Sequence, residues 1–278
     1  MLLLNAEGKV SVLSLAFHLL PHLPSMYYKR KKSDESLLFG LHAVLENLKA
    51  RKPLSKLWLQ RDLRHPLAQE ILALAKAQEV PYSRVPLIKL KEMTHQNHQG
   101  VVAWASPIPF VSLEDLLQTT YEKGQAPLLL LLDGITDIRN LGAIARSALA
   151  AGVDGLVVGS AGFAPVGGAA MKASAGALAH LPVCRTAELE RTIRYLQASG
   201  VQLVACTEKA TTTFTQGDLQ LPTALLLGSE ETGIAKELLA LTDQQLAIPM
   251  QGPVGSLNVS VAAALFCYEA VRQRTKLG

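Results

Sequence analysis

LLLLLDGITDIRNLGAIARSALAAGVDGLVVG, residues 128–159, is the stretch that decides the fold of this 278-residue chain. It opens with a run of leucine, which is typical of a strand that is buried on both faces. Apolar residues at helical spacing follow over 140–151, and a second apolar strand is predicted at 155–159. This strand–helix–strand order predicts two parallel strands of one sheet, joined by a helix.

The same alternation continues toward the carboxyl end of the chain. Four more apolar segments predict strands, at 182–185, 201–206, 224–228 and 245–250. Four segments between and after them predict helices, at 167–179, 187–198, 235–241 and 258–274. We therefore expect an α/β fold in which the C-terminal part is a parallel sheet covered by helices on both faces.

A smaller α/β unit is predicted ahead of this sheet. Its first helix carries one apolar face, made of Leu41, Val44, Leu45 and Leu48. Strands are predicted at 56–60, 80–85 and 100–106, with helical segments at 67–79 and 87–95. We expect four segments in all: an extension at 1–33, a small domain at 34–105, a linker around a short helix at 106–126, and a large domain at 127–278. Met26 is an alternative natural start.

The composition is that of a packed globular protein, with 49% hydrophobic and 18% charged residues. The three cysteines, Cys184, Cys206 and Cys267, lie in or beside apolar runs and form no CxxC pair. This pattern predicts reduced, buried thiols in a cytoplasmic protein and no metal site. The apolar segment at 10–20 is about half the length that spans a bilayer, so no membrane partner is expected.

Charge is distributed unevenly along the chain. The net charge is +4, but residues 27–105 sum to +7 and residues 106–278 sum to −3. A basic front half suggests contact with a polyanion such as nucleic acid, and a solvated lysine-rich surface explains the charge equally well.

The usual nucleotide-binding loops are missing. No GxGxxG occurs, and GFAPVG (162–167) is not followed by the lysine of a phosphate loop. A dinucleotide-dependent oxidoreductase is therefore disfavoured.

Three segments carry polar residues at predicted strand ends and helix starts: RNLGAIARSALAAG (139–152), LLLGSEETG (225–233) and IPMQGPVGSLNVSVAAAL (248–265). From the residues alone, Asn140 is interpreted as a helix N-cap, and Ser256 or Asn258 as caps of the last helix. Glu230 suits the positive end of the helix that follows it. Arg146 lies off the apolar stripe of its helix, which is made of Leu141, Ile144, Ala145, Ala148 and Leu149.

Taken together and in this order, the three segments resemble the signature motifs of the SpoU/TrmH family of RNA 2′-O-ribose methyltransferases. The resemblance implies that Arg146 is the key catalytic residue, either as a base or as a clamp on a phosphate. Asn140, Glu230, Ser256 and Asn258 would complete the active site. S-adenosylmethionine would be the cofactor, contacted by Leu227, Gly228, Ile248, Met250 and Leu257.

The resemblance also implies a deep trefoil knot in the C-terminal domain, although general topology rules predict against knots. It implies a homodimer with the active site completed across the interface. The last helix carries an apolar face that suits such an interface or an ordinary core: Val259, Ala262, Ala263, Phe266 and Ala270.

The front unit resembles the N-terminal domain of the RlmB branch of the family. FGLHAVLENL and HQGVVAWAS carry this likeness, and KASAGAL (172–178) agrees with it. The branch implies a small ribosomal-protein-like RNA-binding fold and a guanosine of 23S rRNA, in the large ribosomal subunit, as the methyl acceptor. Two alternatives stay open: a methyltransferase for tRNA or another rRNA nucleotide, and a catalytically inactive RNA-binding factor in ribosome assembly.

Overall fold

The computed structural model describes residues 37–160 and 162–275. Its eleven strands within those ranges are β1 (Leu37–Phe39), β2 (Leu54–Gln60), β3 (Tyr82–Val85), β4 (Val101–Ala105), β5 (Leu128–Leu132), β6 (Gly155–Gly159), β7 (Val183–Thr186), β8 (Gln202–Cys206), β9 (Thr212–Thr213), β10 (Thr223–Leu227) and β11 (Gln244–Ala247). Its helices there are α1 (Leu41–Lys49), α2 (Pro66–Ala77), α3 (Leu87–Met93), α4 (Leu113–Glu122), α5 (Ile138–Ala150), α6 (Gly168–Ala173), α7 (Leu189–Ala198), α8 (Lys236–Leu239) and α9 (Val259–Arg274).

Seven strands form a wholly parallel sheet in the order β7-β6-β5-β10-β8-β11-β9. The leucine run of β5 alternates between its two faces. Leu128, Leu130 and Leu132 pack into the core on one side, which α5 and α9 cover, and Leu129 and Leu131 pack into the core on the other. The predicted parallel α/β sheet, covered on both faces, is therefore confirmed.

Four strands form a separate mixed sheet in the order β1-β4-β2-β3. Strand β4 is antiparallel to β1 and β2, whereas β2 and β3 are parallel. The predicted apolar face of α1 is buried against this sheet, together with residues of α2. The short helix α3 packs on the opposite face, where Leu90 meets Trp58 and Val102.

Three predicted details are wrong. The helix expected at 167–179 is interrupted: α6 ends at Ala173, Ala175 and Gly176 have φ of +49° and +86°, and a single 3-10 turn follows at Ala177–Ala179. Leu149, expected in the buried stripe of α5, is 37% exposed. The two short strands β1 and β9 were not predicted.

Hydrogen bonds from side chains to backbone carbonyls join the mixed-sheet domain to the parallel-sheet domain at a contact that we call the junction. The Arg185 guanidinium, on β7, donates to the carbonyl of Leu54 at 2.7 Å and more distantly to that of Gln78 at 3.4 Å. Its central carbon lies 3.7 Å from the ring centroid of Phe110. Ser55 Oγ donates to the Val166 carbonyl across the same junction. The junction is thus polar and centred on one arginine.

Some expectations concern residues outside those described. The extension at 1–33 and the alternative start at Met26 both lie there. Among the described helices, none is both long enough and apolar enough to span a bilayer. The knotted path of the C-terminal segment stays a prediction.

Candidate active site

A crevice of about 210 Å³ lies at the edge of the parallel sheet where the central strands end. It is bordered by the segments that leave β8, β10 and β11 and by the start of α9. In open α/β sheets, ligands bind outside the carboxyl ends of the strands. The position of this crevice is therefore that of a ligand site.

The crevice brings together residues from the second and third motifs. All five predicted cofactor contacts line it, as do two of the predicted catalytic residues: Leu227, Gly228, Ile248, Met250, Leu257, Glu230 and Ser256. The five cofactor contacts lie on two segments that are 20 residues apart in sequence. Their convergence follows from the parallel sheet, which delivers each strand end to one edge.

A hydrogen-bonded cluster at Asn258 joins all three motifs. The Nδ2 group of Asn258 donates to Asn140 Oδ1 at 3.0 Å and to Glu230 Oε1 at 2.5 Å. The Oδ1 atom of the same amide accepts from the backbone N–H of Ser260 at 2.9 Å. One amide thus caps α9 and also fixes the first and second motifs beside the crevice.

The cluster corrects parts of the interpretation from residues alone. Asn140 is not the N-cap of α5, because Asp137 holds that position and accepts from the Arg139 N–H at 2.7 Å. Glu230 does not cap α8, which begins beyond Ala235. Of the two candidate caps for α9, Asn258 is the cap and Ser256 is not. Asn140 and Glu230 are thereby available to the cluster.

The two arginines of the first motif occupy different surroundings. Arg139 donates to Asp137, and this bond holds the pKa of the Asp137 carboxyl below its usual range. The pKa of Arg139 is raised mainly by that bond and further by the charge of Glu230, so Arg139 lies in the field of the cluster. Arg146 is exposed and lies about 9 Å further along α5 than Asn140. Its side chain makes no hydrogen bond or ion pair with any other residue in 37–160 or 162–275.

Two glycines allow the motifs to approach their neighbours closely. A Cβ on Gly228 would collide with the backbone of Gly233 and Ile234, so the turn after β10 requires glycine. A Cβ on Gly142 would lie 2.5 Å from the Cβ of Ala173. Because glycine has no Cβ, the backbones of α5 and α6 can pack closely here. Gly142 and Gly228 are therefore explained by packing within the chain.

Sequence reasoning missed one side of the crevice. Thr207, Glu208 and Lys209 follow β8 and line the crevice opposite the third motif. The available signal was their position, directly after a central buried strand. Cys206, at the end of the same strand, also lines the crevice, and burial raises the pKa of its thiol.

The thiols and histidines show no arrangement for a metal. All three cysteines are free, and Cys184 and Cys267 are buried as predicted. Within the described ranges, no group of three or more His, Cys, Asp and Glu side chains is placed to hold a metal ion. His98 is buried in a turn, where its Nδ1 accepts from the Gly100 N–H at 3.0 Å.

Two family models match the chain. The model of the SpoU rRNA methylase family matches residues 127–268. A model described as RNA 2′-O ribose methyltransferase substrate binding matches residues 37–111. A Bacillus subtilis protein named as a TrmH family tRNA/rRNA methyltransferase, YacO, is 37% identical over 241 residues, which cover 87% of this chain and 97% of that protein.

Solved structures agree with these matches. The SpoU methyltransferase AviRb of Streptomyces viridochromogenes, in complex with AdoMet, has a TM-score of 0.55 and 27% identity, covering 86% of this chain and 90% of that one. An AdoMet-bound rRNA methyltransferase of Sinorhizobium meliloti has a TM-score of 0.54 and 25% identity, covering 87% and 88%. By these matches, this chain belongs to the SpoU rRNA methylase family.

Proposed function

We propose that this chain, an RNA 2′-O-ribose methyltransferase by family, methylates the ribose of a guanosine in 23S rRNA. The methyl-transfer part of the proposal is carried by the Asn258 amide, which joins Asn140 and Glu230 at 3.0 and 2.5 Å beside the crevice. The choice of a guanosine in 23S rRNA follows the resemblance of the front unit to the RlmB branch. Glu230 and Asn258 are exposed and Asn140 is half-buried, so apolar burial does not explain why they converge. A positioned set of amide and carboxylate groups at a crevice is what orientation of a reacting hydroxyl requires.

The crevice fits S-adenosylmethionine, the cofactor of the enzyme. Apolar walls at Leu227, Ile248 and Leu257 suit an adenine ring. Carboxylates at Glu208, Glu230 and Glu231 line the same space and suit a sulfonium cation. When bound, the cofactor supplies a methyl group that its sulfonium has already activated.

The cluster positions the acceptor hydroxyl. Asn258 holds Glu230 by one carboxylate oxygen, Oε1, and no other bond to a described residue occupies Oε2. That second oxygen can accept a hydrogen bond from a ribose 2′-hydroxyl and orient its lone pair toward the methyl group. Holding two reactants in line contributes up to about 7–11 kcal/mol to lowering a barrier of this kind.

For Arg146, both a base and a phosphate clamp were open, and we propose the clamp. A guanidinium keeps its proton under physiological conditions, which makes it a poor base. Its planar fork donates two parallel hydrogen bonds to a phosphate. Arg146 is exposed, as a residue that meets a large polyanion must be.

We also propose a homodimer, in which Arg146 completes the site across the interface. Within its own chain, Arg146 has no bond to the described part of the cluster. Val259, Ala263, Phe266 and Ala270 are buried in the chain's own core, so that face of α9 is not the interface. The opposite side of α9 exposes Val261, Leu265 and Tyr268, at 47%, 40% and 52%, and this stripe suits a partner copy.

The domain roles follow the two family matches. We propose that 34–105 binds the RNA, that 106–126 is a linker and that 127–278 is the methyltransferase domain. The three free thiols fit a reducing, cytoplasmic location.

A tRNA acceptor is the second candidate, because the names of curated relatives cover both tRNA and rRNA. The test is methylation of 23S rRNA, 16S rRNA and bulk tRNA from a strain that lacks the protein, each with methyl-labelled S-adenosylmethionine. Primer extension at low dNTP concentration then locates the methylated ribose, at which reverse transcription stops. Label confined to 23S rRNA supports the proposal, and label confined to tRNA overturns it.

The inactive-factor alternative is disfavoured by the complete cluster and by family membership. Titration calorimetry with S-adenosylmethionine separates the two: saturable 1:1 binding per chain supports the enzyme, and no binding supports the inactive factor.

A further inference from the structure

The mixed sheet carries an aromatic pair on a face that α3 covers only in part. Helix α3 has seven residues and is therefore about 10 Å long. It buries Trp58, which is 8% exposed, and Val102. Trp104 lies two residues beyond Val102 on the same face of β4 and is 37% exposed.

Trp104 is held in a defined orientation. Its ring centroid lies 5.0 Å from that of Trp58, with an angle of 80° between the ring planes. This edge-to-face contact is a preferred geometry for aromatic pairs. Trp104 also lies in the middle of the sheet, paired with Leu37 on β1 and Lys56 on β2. A large aromatic surface is thus both exposed and fixed, which costs little conformational entropy on binding.

One lysine lies beside this pair, in a domain of net positive charge. Lys56 is the direct cross-strand neighbour of Trp104, and its Nζ lies 5.6 Å from the ring centroid of Trp58. Residues 37–105 hold 10 Lys or Arg against 5 Asp or Glu, a net charge of +5. An apolar docking surface for another protein would not need this charge, whereas a single-stranded nucleic acid offers flat bases and phosphates together.

We propose that Trp104, braced on Trp58, is a stacking platform for one unpaired base of the RNA substrate, and that Lys56 binds a phosphate beside that base. This site rests on the proposed function in one respect, the RNA substrate. It selects for single-stranded or looped RNA because paired bases do not expose a stacking face. It would let the small domain hold a loop of the substrate apart from the crevice.

The chain has only two tryptophans, so fluorescence reports this site directly. The Trp58→Phe protein leaves Trp104 as the sole tryptophan, and the Trp104→Phe protein leaves Trp58. The probes are a 12-nucleotide single-stranded RNA and a 12-base-pair RNA duplex of the same composition. We expect single-stranded RNA to quench the emission of Trp104 strongly and that of Trp58 little, with a weak response to the duplex. Equal quenching by both RNAs, or none, would overturn the proposal.

Affinity provides the second readout. Trp104→Leu removes the stacking surface and keeps an apolar contact with Trp58, and we expect it to weaken binding of the single-stranded RNA about tenfold. Trp104→Tyr, which keeps a π face, should retain most of the affinity. The matched control is Tyr195→Leu, since Tyr195 is 38% exposed and lies on α7, a helix outside the mixed-sheet domain. Equal loss in the control, or full affinity in Trp104→Leu, contradicts the platform.

Methyl transfer, followed separately, distinguishes the two proposals. If Trp104→Leu raises KM for RNA and leaves kcat and S-adenosylmethionine binding unchanged, both stand. If wild-type protein shows quenching but methylates no RNA, the platform stands and the proposed function fails. If it methylates RNA and the KM of Trp104→Leu is unchanged, the platform alone fails. Quenching that depends on protein concentration in the absence of RNA would assign the surface to a second copy instead.

Discussion

The first motif and the junction use arginine in opposite ways. Arg146, in the first motif, is exposed and is not among the residues that line the crevice, and its side chain bonds to no other described residue. Arg185, at the junction, donates to two carbonyls and packs on a ring, and burial lowers the pKa of its guanidinium to about 10. An exposed guanidinium that no described residue engages is available to a ligand, whereas one that is bonded within the chain holds the fold together, although the Nε of Arg185 is buried without a partner. We therefore expect substitutions in the three motifs to lower turnover and substitutions at the junction to lower stability.

The largest effect is expected for Arg146→Ala. We expect turnover to fall by on the order of a thousandfold, as when a positioned charged group at a reacting centre is removed. The melting temperature and the affinity for S-adenosylmethionine should stay within error of wild type, because Arg146 supports no described contact. Steady-state kinetics and calorimetry measure the two.

Arg146→Lys then separates the two roles of this side chain. A phosphate clamp predicts a raised KM for RNA and no new pH dependence, because lysine keeps the charge and loses the fork. A base predicts a rate that rises with pH as the lysine loses its proton. Full activity in Arg146→Ala would show that this exposed arginine has no part in methyl transfer.

The next effect is expected at Asn258, and two variants divide its roles. Asn258→Ala loses both the cluster and the helix cap, so turnover should fall roughly 10- to 100-fold and stability by about 1 kcal/mol. Asn258→Asp keeps an oxygen for the Ser260 N–H and places a negative charge against Glu230. We expect Asn258→Asp to lose turnover to a similar extent while retaining the stability of the cap. Chemical denaturation and kinetics check this pair, and wild-type turnover in Asn258→Asp would show that the cluster is dispensable.

A smaller effect is expected at the junction, from Arg185→Met. The change leaves the Leu54 carbonyl without its 2.7 Å donor and removes the cation from Phe110. We expect the free energy of unfolding to fall by about 1–3 kcal/mol, with S-adenosylmethionine affinity unchanged. The free energy of unfolding of Arg185→Lys, which keeps the charge, should lie between those of wild type and Arg185→Met. An increase in stability would mean that burying this guanidinium costs more than its bonds return.

The smallest effect concerns alkaline pH. Burial raises the pKa of the Cys184 and Cys267 thiols to about 12, whereas in an unfolded chain a thiol loses its proton near pH 8.5. Below pH 8.5 both states are protonated, and the thiols add no pH dependence. Above it the unfolded state binds fewer protons, so stability should fall by roughly 0.4 kcal/mol per thiol between pH 8.5 and 9. Denaturation curves measure this slope, and Cys184→Ala should remove one thiol's share. An unchanged slope in that variant would contradict the assignment.

Sequence predicted the parallel sheet well because its strands are almost wholly apolar and its helices amphipathic. It missed β1 and β9, which have three and two residues and exist only through pairing with β4 and β11. It overextended the helix at 167–179, since the positive φ at Ala175 has no local signal in an alanine-rich segment. Short strands and isolated turns depend on tertiary contacts that periodicity does not report.

For the crevice, three of the five predicted catalytic residues, Asn140, Glu230 and Asn258, form the cluster, whereas Ser256 and Arg146 make no bond to it. Asn140 looked like a helix cap because it precedes an apolar helical pattern, and the true cap, Asp137, lies one turn earlier. The loop of Thr207, Glu208 and Lys209 has no motif of its own and was missed. The roles assigned to the site residues stay predictions until the variants above are measured.

The most direct test of the central claim is mass spectrometry of RNA treated with the purified protein and S-adenosylmethionine carrying a labelled methyl group. After digestion to nucleosides, we expect labelled 2′-O-methylguanosine from rRNA of a strain that lacks the protein when the wild-type protein is added, and none when Arg146→Ala is added. Label on a base instead of the ribose, or equal label with Arg146→Ala, would contradict it.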